Sequence, residues 1–419
     1  MKILWIVNTI FPYPASKIGQ EKCCYGGWLN GLANMLKDNN DIKLAIAAVY
    51  NGIDIKKVDD GKVIYYLIPG APALKYNSNL EKYWKIVNEE FKPDLVHIHG
   101  TEFAHGLAFT KACPSVKTVT SIQGLTSAIA KVYCAGLQTS EILKNVTFRD
   151  IIKHDTIFRQ KRKFAQRGKN EIELIKKSDA IIGRTTWDYA NVKAIDKNIQ
   201  YFHVNETLRE EFYDNSSWDI SKIERHSIFI SQASYPIKGF HKVLDSINIL
   251  KKKYADIRVY VAGYNIMHIQ NLKDKIRIAG YGKIIRNKIK KYKLENNVVF
   301  TGELDAEKMK KMFLKVNAFV SSSVIENESN SVSEAAILGT PIISSYVGGI
   351  PDRIVNKENG LLYPFTEVAM LANCIEEIFD NDKLAIELGK KAMESYKTIL
   401  NPENNANQII KIYNEIIKK

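Results

Sequence analysis

At 419 residues the chain is too long for one ordinary hydrophobic core and divides most naturally into two domains of similar size. Hydrophobic residues at 45% and charged residues at 25% exclude a disordered or collagenous chain, and no apolar run approaches the ~20 residues needed to span a bilayer. The net charge of +14 comes from lysine spread along the whole sequence, without the aromatic–basic interleaving of single-strand binders. Nucleic acid is therefore not an expected partner, whereas an anionic membrane surface stays open.

The first residues carry one positive charge and a short apolar run that Asn8 and Thr9 interrupt, with no clean cleavage site, so they read as a buried strand and not as a signal peptide. Strands are expected at 3–8, 43–49, 63–68, 95–98, 118–121, 180–182 and 200–204, with helical periodicity between them at 28–36, 80–91 and 159–177. A second series follows, with strands at 227–230, 258–261, 298–300, 318–320 and 341–343 and helices such as 240–253 and 309–315. After Gly360 the pattern reads as helical to the end. Two successive β/α series predict an α/β protein of two Rossmann-like, doubly wound domains with ligands at the carboxyl ends of the strands. The domains are expected over 1–210 and 211–400, joined near 205–225, with a last helix at 401–419 packing back on the first domain.

The segment richest in chemistry runs from Ser321 to Pro341. It leaves a strand, crosses a polar loop containing Glu326, and enters a helix bearing Glu334. A helix amino end at the mouth of a parallel sheet offers N–H groups and a positive dipole to a phosphate. Two carboxylates eight residues apart, one in the loop and one on the helix, can accept hydrogen bonds from hydroxyls at two points of an extended ligand.

Glu326 and Glu334, followed by Ala335-Ala336, Gly339 and Pro341 and then by Val347-Gly348-Gly349-Ile350-Pro351, resemble the donor-site signature of family-4 glycosyltransferases. These are retaining enzymes of the GT-B fold, in which two Rossmann-like domains face each other across a cleft. Pro93 to Gly100, with its His97-Ile98-His99-Gly100, resembles the family's strand-then-HxHG segment, and Pro236-Ile237-Lys238-Gly239 resembles its Lys-Gly turn. The resemblance implies that Lys238 binds the donor diphosphate, Glu334 the ribose hydroxyls, and the N–H groups around Ser329, Asn330 and Ser331 the leaving phosphate. Glu326 would orient the sugar, with Gln123 and His105 completing the catalytic set and Gln232 and Gly263 the donor site. Gly26 and Gly27, before a helix, and Arg184, after a strand, fall on the acceptor side.

Two positions depart from the family pattern. Gln232 and Ala233 stand where many members have an arginine, and Gln123 stands where a histidine is usual. The implied function is hexosyl transfer, with retention, from a nucleotide-sugar to a glycan or lipid-linked saccharide acceptor in cell-surface polysaccharide assembly. It needs no metal or other cofactor, and is set in the cytoplasm or at the inner face of the membrane. A nucleotide-sugar epimerase of the same fold, or a non-catalytic nucleotide-sugar-binding protein, is the alternative.

Other features have plainer readings. His97, His99 and His105 lack a carboxylate or cysteine to complete a metal shell. Cys23, Cys24, Cys113, Cys134 and Cys374 are odd in number and show no CxxC spacing, which argues against a disulfide framework and a zinc site. The basic run 159–169 reads as a solvated helix face, or as a surface for anionic lipid or a lipid-pyrophosphate. Thr185 or Thr186 is placed to cap a helix, while Arg184 and Trp187 read as exposed groups at a strand end.

Overall fold

The computed structural model describes residues 1–20, 27–70, 76–267 and 276–419. The chain forms two compact units: Met1–Ala130, Lys163–Arg209 and Leu400–Lys419 make the first, and Lys131–Arg162 with Glu210–Ile399 the second.

The first unit is built on β1 (Lys2–Val7), β2 (Lys43–Tyr50), β3 (Lys56–Asp59), β4 (Val63–Pro69), β5 (Leu95–His99), β6 (Thr118–Ser121), β7 (Ala180–Gly183) and β8 (Gln200–His203). Their order across the sheet is β3-β4-β2-β1-β5-β6-β7-β8. All pairs are parallel except β3 with β4. Strands such as Ile3–Val7 are apolar on both faces because helices cover both sides of a parallel sheet. The β3 strand, Lys-Lys-Val-Asp, escapes sequence reading because it is a charged edge strand, a composition that discourages further pairing.

The helix Pro402–Lys418 belongs to this unit and buries Ile409, Ile412, Tyr413 and Ile416 in the core cluster that contains Trp5. The Tyr413 hydroxyl accepts a hydrogen bond from Trp5 Nε1 at 3.0 Å and meets His97 Nδ1 at 2.6 Å. His97 Nε2 contacts Ser121 Oγ at 2.6 Å, so both ring nitrogens are engaged in packing the sheet.

The second unit carries β9 (Glu224–Ile230), β10 (Arg258–Val261), β11 (Val298–Phe300), β12 (Val316–Ser321), β13 (Ile342–Ser345) and β14 (Leu361–Tyr363), in the order β11-β10-β9-β12-β13-β14. Every pair is parallel. β14 corrects the expectation of helix from Gly360 onward: Leu361-Leu362-Tyr363 is a short, fully buried run, for which helix and strand periodicity cannot be told apart.

Residues 131–162 also depart from the sequence reading, which put them in the first domain. Three polar contacts tie them into the second unit. Asp150 Oδ2 accepts the Gly280 N–H at 2.8 Å, capping the helix Gly280–Lys291. The Ala135 carbonyl meets His241 Nε2 at 2.9 Å, and Asn287 Nδ2 donates to Asn145 Oδ1 at 2.9 Å.

His241 is buried, with Nδ1 at 3.1 Å from the Tyr281 hydroxyl. Burial pushes its pKa down to about 4, against the opposing pull of the Ala135 carbonyl. The imidazole is therefore neutral in the folded state at pH 7. The unfolded chain binds the extra proton below about pH 6.5, so stability is present above that value and is lost as pH falls toward 4. His241 alone should account for about 2 kcal/mol lost between pH 7.5 and 5. Urea denaturation at the two pH values, for wild type and for His241→Gln, measures this as the difference between the two losses.

Candidate functional site

In the second unit the chain leaves β9 to build β10 and β11 on one side, then returns to lay β12 on the other. The carboxyl ends of β9 and β12 thus form a topological switch point, where open α/β sheets bind ligands. The loop after β9 ends in the turn Pro236–Lys238 and Gly239, whose φ of 69° is left-handed. Val324 N–H donates to the Ile237 carbonyl and Ser322 Oγ to the Lys238 carbonyl, each at 2.8 Å. A Cβ on Gly239 would overlap the Ser322 carbonyl oxygen. Only glycine lets the two loops approach so closely.

That approach sets Lys238 Nζ on Glu326 Oε1, the same oxygen that accepts a 2.8 Å hydrogen bond from Ser323 Oγ. The loop after β13 holds Glu326 from its backbone. Gly349 N–H donates to the Glu326 carbonyl at 3.1 Å, and a Cβ on Gly348 (φ 54°) would overlap that carbonyl. The Lys238 and Glu326 side chains are 21% and 15% exposed, so the pair is shielded yet reachable. Burial works against the Lys238 ammonium, but Glu326, with Tyr235 beside it, holds the lysine pKa above its ordinary range. A charged lysine thus stands at the switch point at neutral pH.

Ser329 is the N-cap of the helix Asn330–Ile337, and its side chain makes no capping bond. The first-turn N–H groups of such a helix, here on Asn330 and Ser331, have no intrahelical acceptor. Glu334 lies on the same helix and is only 4% exposed. Arg353 Nε and Glu328 Oε1 form a part-buried pair at 3.0 Å that anchors the other end of the 322–329 loop. On the β9 loop, Gln232 Oε1 accepts from the Tyr235 hydroxyl at 3.2 Å.

A cavity of about 220 Å³ opens beside this loop, at the ends of β10 and β11. Val261, Phe300 and Tyr281 give it an apolar lining, and Arg149 and Arg277 add two cations. Gly263 is part of the wall, its N–H donating to the Gly302 carbonyl at 2.8 Å. Arg149 Nη1 is held by Asp155 Oδ2 at 3.1 Å and Asp150 Oδ1 at 3.4 Å. Sequence reasoning missed Arg149 because it precedes the other lining residues by more than eighty positions and sits among residues read as first-domain.

The remaining expected site residues that are described lie on the first unit. Its switch point falls between β1 and β5, where Asn8 Nδ2 donates to Glu102 Oε2 at 3.3 Å and Gly124 N–H donates to Glu102 Oε1 at 3.1 Å. Gln123 belongs to this group, its carboxamide carbon lying 3.3 Å from where a Cβ on Gly100 would stand. Burial, with Glu171 nearby, raises the Glu102 pKa. A carboxyl so perturbed at a switch point is a functional candidate that went unremarked. Its one sequence signal is its place just after the HxHG segment.

Two expectations change on this unit. Arg184 is not exposed: its accessibility is 5%, with Nη1 at 2.5 Å from Glu206 Oε2 and Nη2 donating to the Ile122 carbonyl at 2.8 Å. Its charge is consumed inside the fold, while Thr185 beside it forms a capping box with Asp188. His105 is buried and stacked on Phe103 with ring centroids 5.4 Å apart, and burial lowers its pKa to about 4. It presents no open surface. Gly27 opens the helix Gly27–Lys37, and Gly26, with Cys23 and Cys24, lies outside the described residues.

Known proteins agree with this architecture. Residues 190–395, just under half of the chain, match the model of the glycosyl transferases group 1. Protein CapJ of Staphylococcus aureus is 27% identical over 196 residues, covering 39% of this chain and 49% of that protein. D-inositol 3-phosphate glycosyltransferase of Corynebacterium efficiens is 30% identical over 82 residues, 20% of this chain and 19% of that one. The chain thus spans between about a fifth and a half of the length of these curated relatives. Among solved structures, sucrose-phosphate synthase from Thermosynechococcus elongatus superposes with a TM-score of 0.72 at 17% identity, covering 100% of this chain and 99% of that one. Anabaena HepE in complex with UDP and glucose superposes with 0.68 at 14% identity, covering 98% and 99%. Residues 190–395 are therefore a glycosyl transferases group 1 domain, in a chain with the GT-B fold of two parallel-sheet, Rossmann-like domains.

Proposed function

We propose that the chain transfers a sugar from a nucleotide-sugar donor bound by the second unit. The observation that carries this reading is the Lys238–Glu326 pair at the β9/β12 switch point, beside the amino end of the helix Asn330–Ile337. A charged lysine and first-turn N–H groups converge where a diphosphate would leave, which is preorganised stabilisation of developing charge. On binding, the diphosphate takes Lys238 as its counterion and frees Glu326 to accept from the sugar hydroxyls. Glu334 holds the ribose, and the cavity lined by Tyr281, Phe300 and Arg149 receives the base.

By resemblance the moved sugar is a hexose transferred with retention, the leaving phosphate taking the acceptor's proton, without metal or other cofactor. The acceptor is a glycan or lipid-linked saccharide of a cell-surface polysaccharide, and the reaction runs in the cytoplasm or at the inner face of the membrane. The group 1 domain, and the UDP and glucose named for the HepE structure, support beginning with uridine donors.

Thermal stabilisation by UDP-, GDP-, ADP- and CMP-sugars tests the proposal. One base class should raise the melting temperature, equivalent to about 2.7 kcal/mol at a hundredfold excess over Kd, and Glu334→Ala should abolish the shift. Equal indifference to all four would sink the donor assignment.

A further inference from the structure

We propose that residues 139–162 dock the second unit on an anionic lipid surface. The short helix Phe148–Ile152 has two unlike faces. Asp150 points inward, buried against the amino end of the helix Gly280–Lys291. Phe148, Ile151 and Ile152, spaced i, i+3 and i+4 on the opposite face, are 60–64% exposed. Leu143, at the end of the helix Thr139–Lys144, adds a fourth apolar side chain at 59%. Four large apolar residues are thus exposed within ten positions. The other exposed large hydrophobics among the described residues are spread singly along the chain. Single exposed apolar side chains are ordinary, but a cluster signals a surface that something covers.

Charge identifies what covers it. Lys144, Lys153, Arg159, Lys161 and Arg162 are exposed around the same segment. Of its three carboxylates, Asp150 and Asp155 both turn to Arg149, and Glu141 is half-buried. An apolar tip in a basic collar matches a bilayer surface, where the side chains enter the acyl boundary and the cations meet anionic headgroups. A second copy of the chain fits poorly, because it would oppose one basic collar to another on a protein of net charge +14. Arg149 follows Phe148 directly and lines the cavity described above, so a docked segment would be held still where it shapes that cavity.

The test is co-sedimentation of the full chain with vesicles of phosphatidylcholine alone and with phosphatidylglycerol added. The double variant Ile151→Asp/Ile152→Asp and the charge variant Lys153→Glu/Lys161→Glu run alongside, and unchanged circular dichroism and melting temperature check their fold. Wild type should bind the anionic vesicles, less so as salt rises, and each double variant should bind about ten-fold or more weakly. A Phe148→Trp reporter should blue-shift on the anionic vesicles. Failure to bind them, equal binding by the variants, or a concentration-dependent dimer lost in Ile151→Asp/Ile152→Asp would each overturn the proposal. None of these readouts requires donor binding, so they stand or fall separately from the proposed reaction.

Discussion

Replacing Lys238 with alanine should lower kcat/KM for sugar transfer by about two to three orders of magnitude, the loss expected when a preorganised charge partner of a leaving group is removed. The side chain stands between two possible roles, holding Glu326 and receiving a diphosphate, and a stability measurement separates them. Loss of the lysine leaves Glu326 shielded beside Ser323 without its cation, but both side chains retain some exposure. Discounted for that exposure, the stability cost should be about 1–2 kcal/mol. Initial-rate kinetics and thermal melts on the same preparation give both numbers. A melting temperature that falls while kcat/KM holds would make the pair structural only.

Gly348→Ala should destabilise the second unit by about 3 kcal/mol and abolish the donor-induced thermal shift, because strain and overlap act together. At φ 54° any side chain is disfavoured, and the added Cβ would collide with the carbonyl of the very residue that holds Lys238. Gly263→Ala is the matched comparison. It too has a positive φ, 118°, but nothing stands within 4 Å of its Cβ, so the penalty there is conformational alone. Urea denaturation of both variants should show the larger loss at Gly348. The reverse order would mean that the β13 loop yields easily and does not fix Glu326.

What the sequence made legible was what depends on neighbours in the chain. Apolar runs such as Ile3–Val7 and Phe319-Val320 announced buried parallel strands, and the motif around Glu326 announced a loop between strand and helix. Features decided by distant partners were not legible. Arg184 looked exposed because arginine usually is, but Glu206 and the Ile122 carbonyl, far from it in sequence, draw it inside. Residues 131–162 looked like part of the first domain because the bond that claims them joins Asp150 to Gly280, 130 positions on. Glu102 carried no signal beyond its place after the HxHG segment, since its pKa depends on burial that only the assembled sheet provides and on Glu171.

The chain path also fixes an order of completion during synthesis. Domains generally finish folding from the amino end as the chain emerges. Here the second unit has all its strands and its borrowed segment once residue 399 is made, while the first unit still lacks the helix Pro402–Lys418. Until Tyr413 arrives, Trp5 Nε1 and His97 Nδ1 have no hydroxyl to meet. The unit whose synthesis begins first is therefore the last to close.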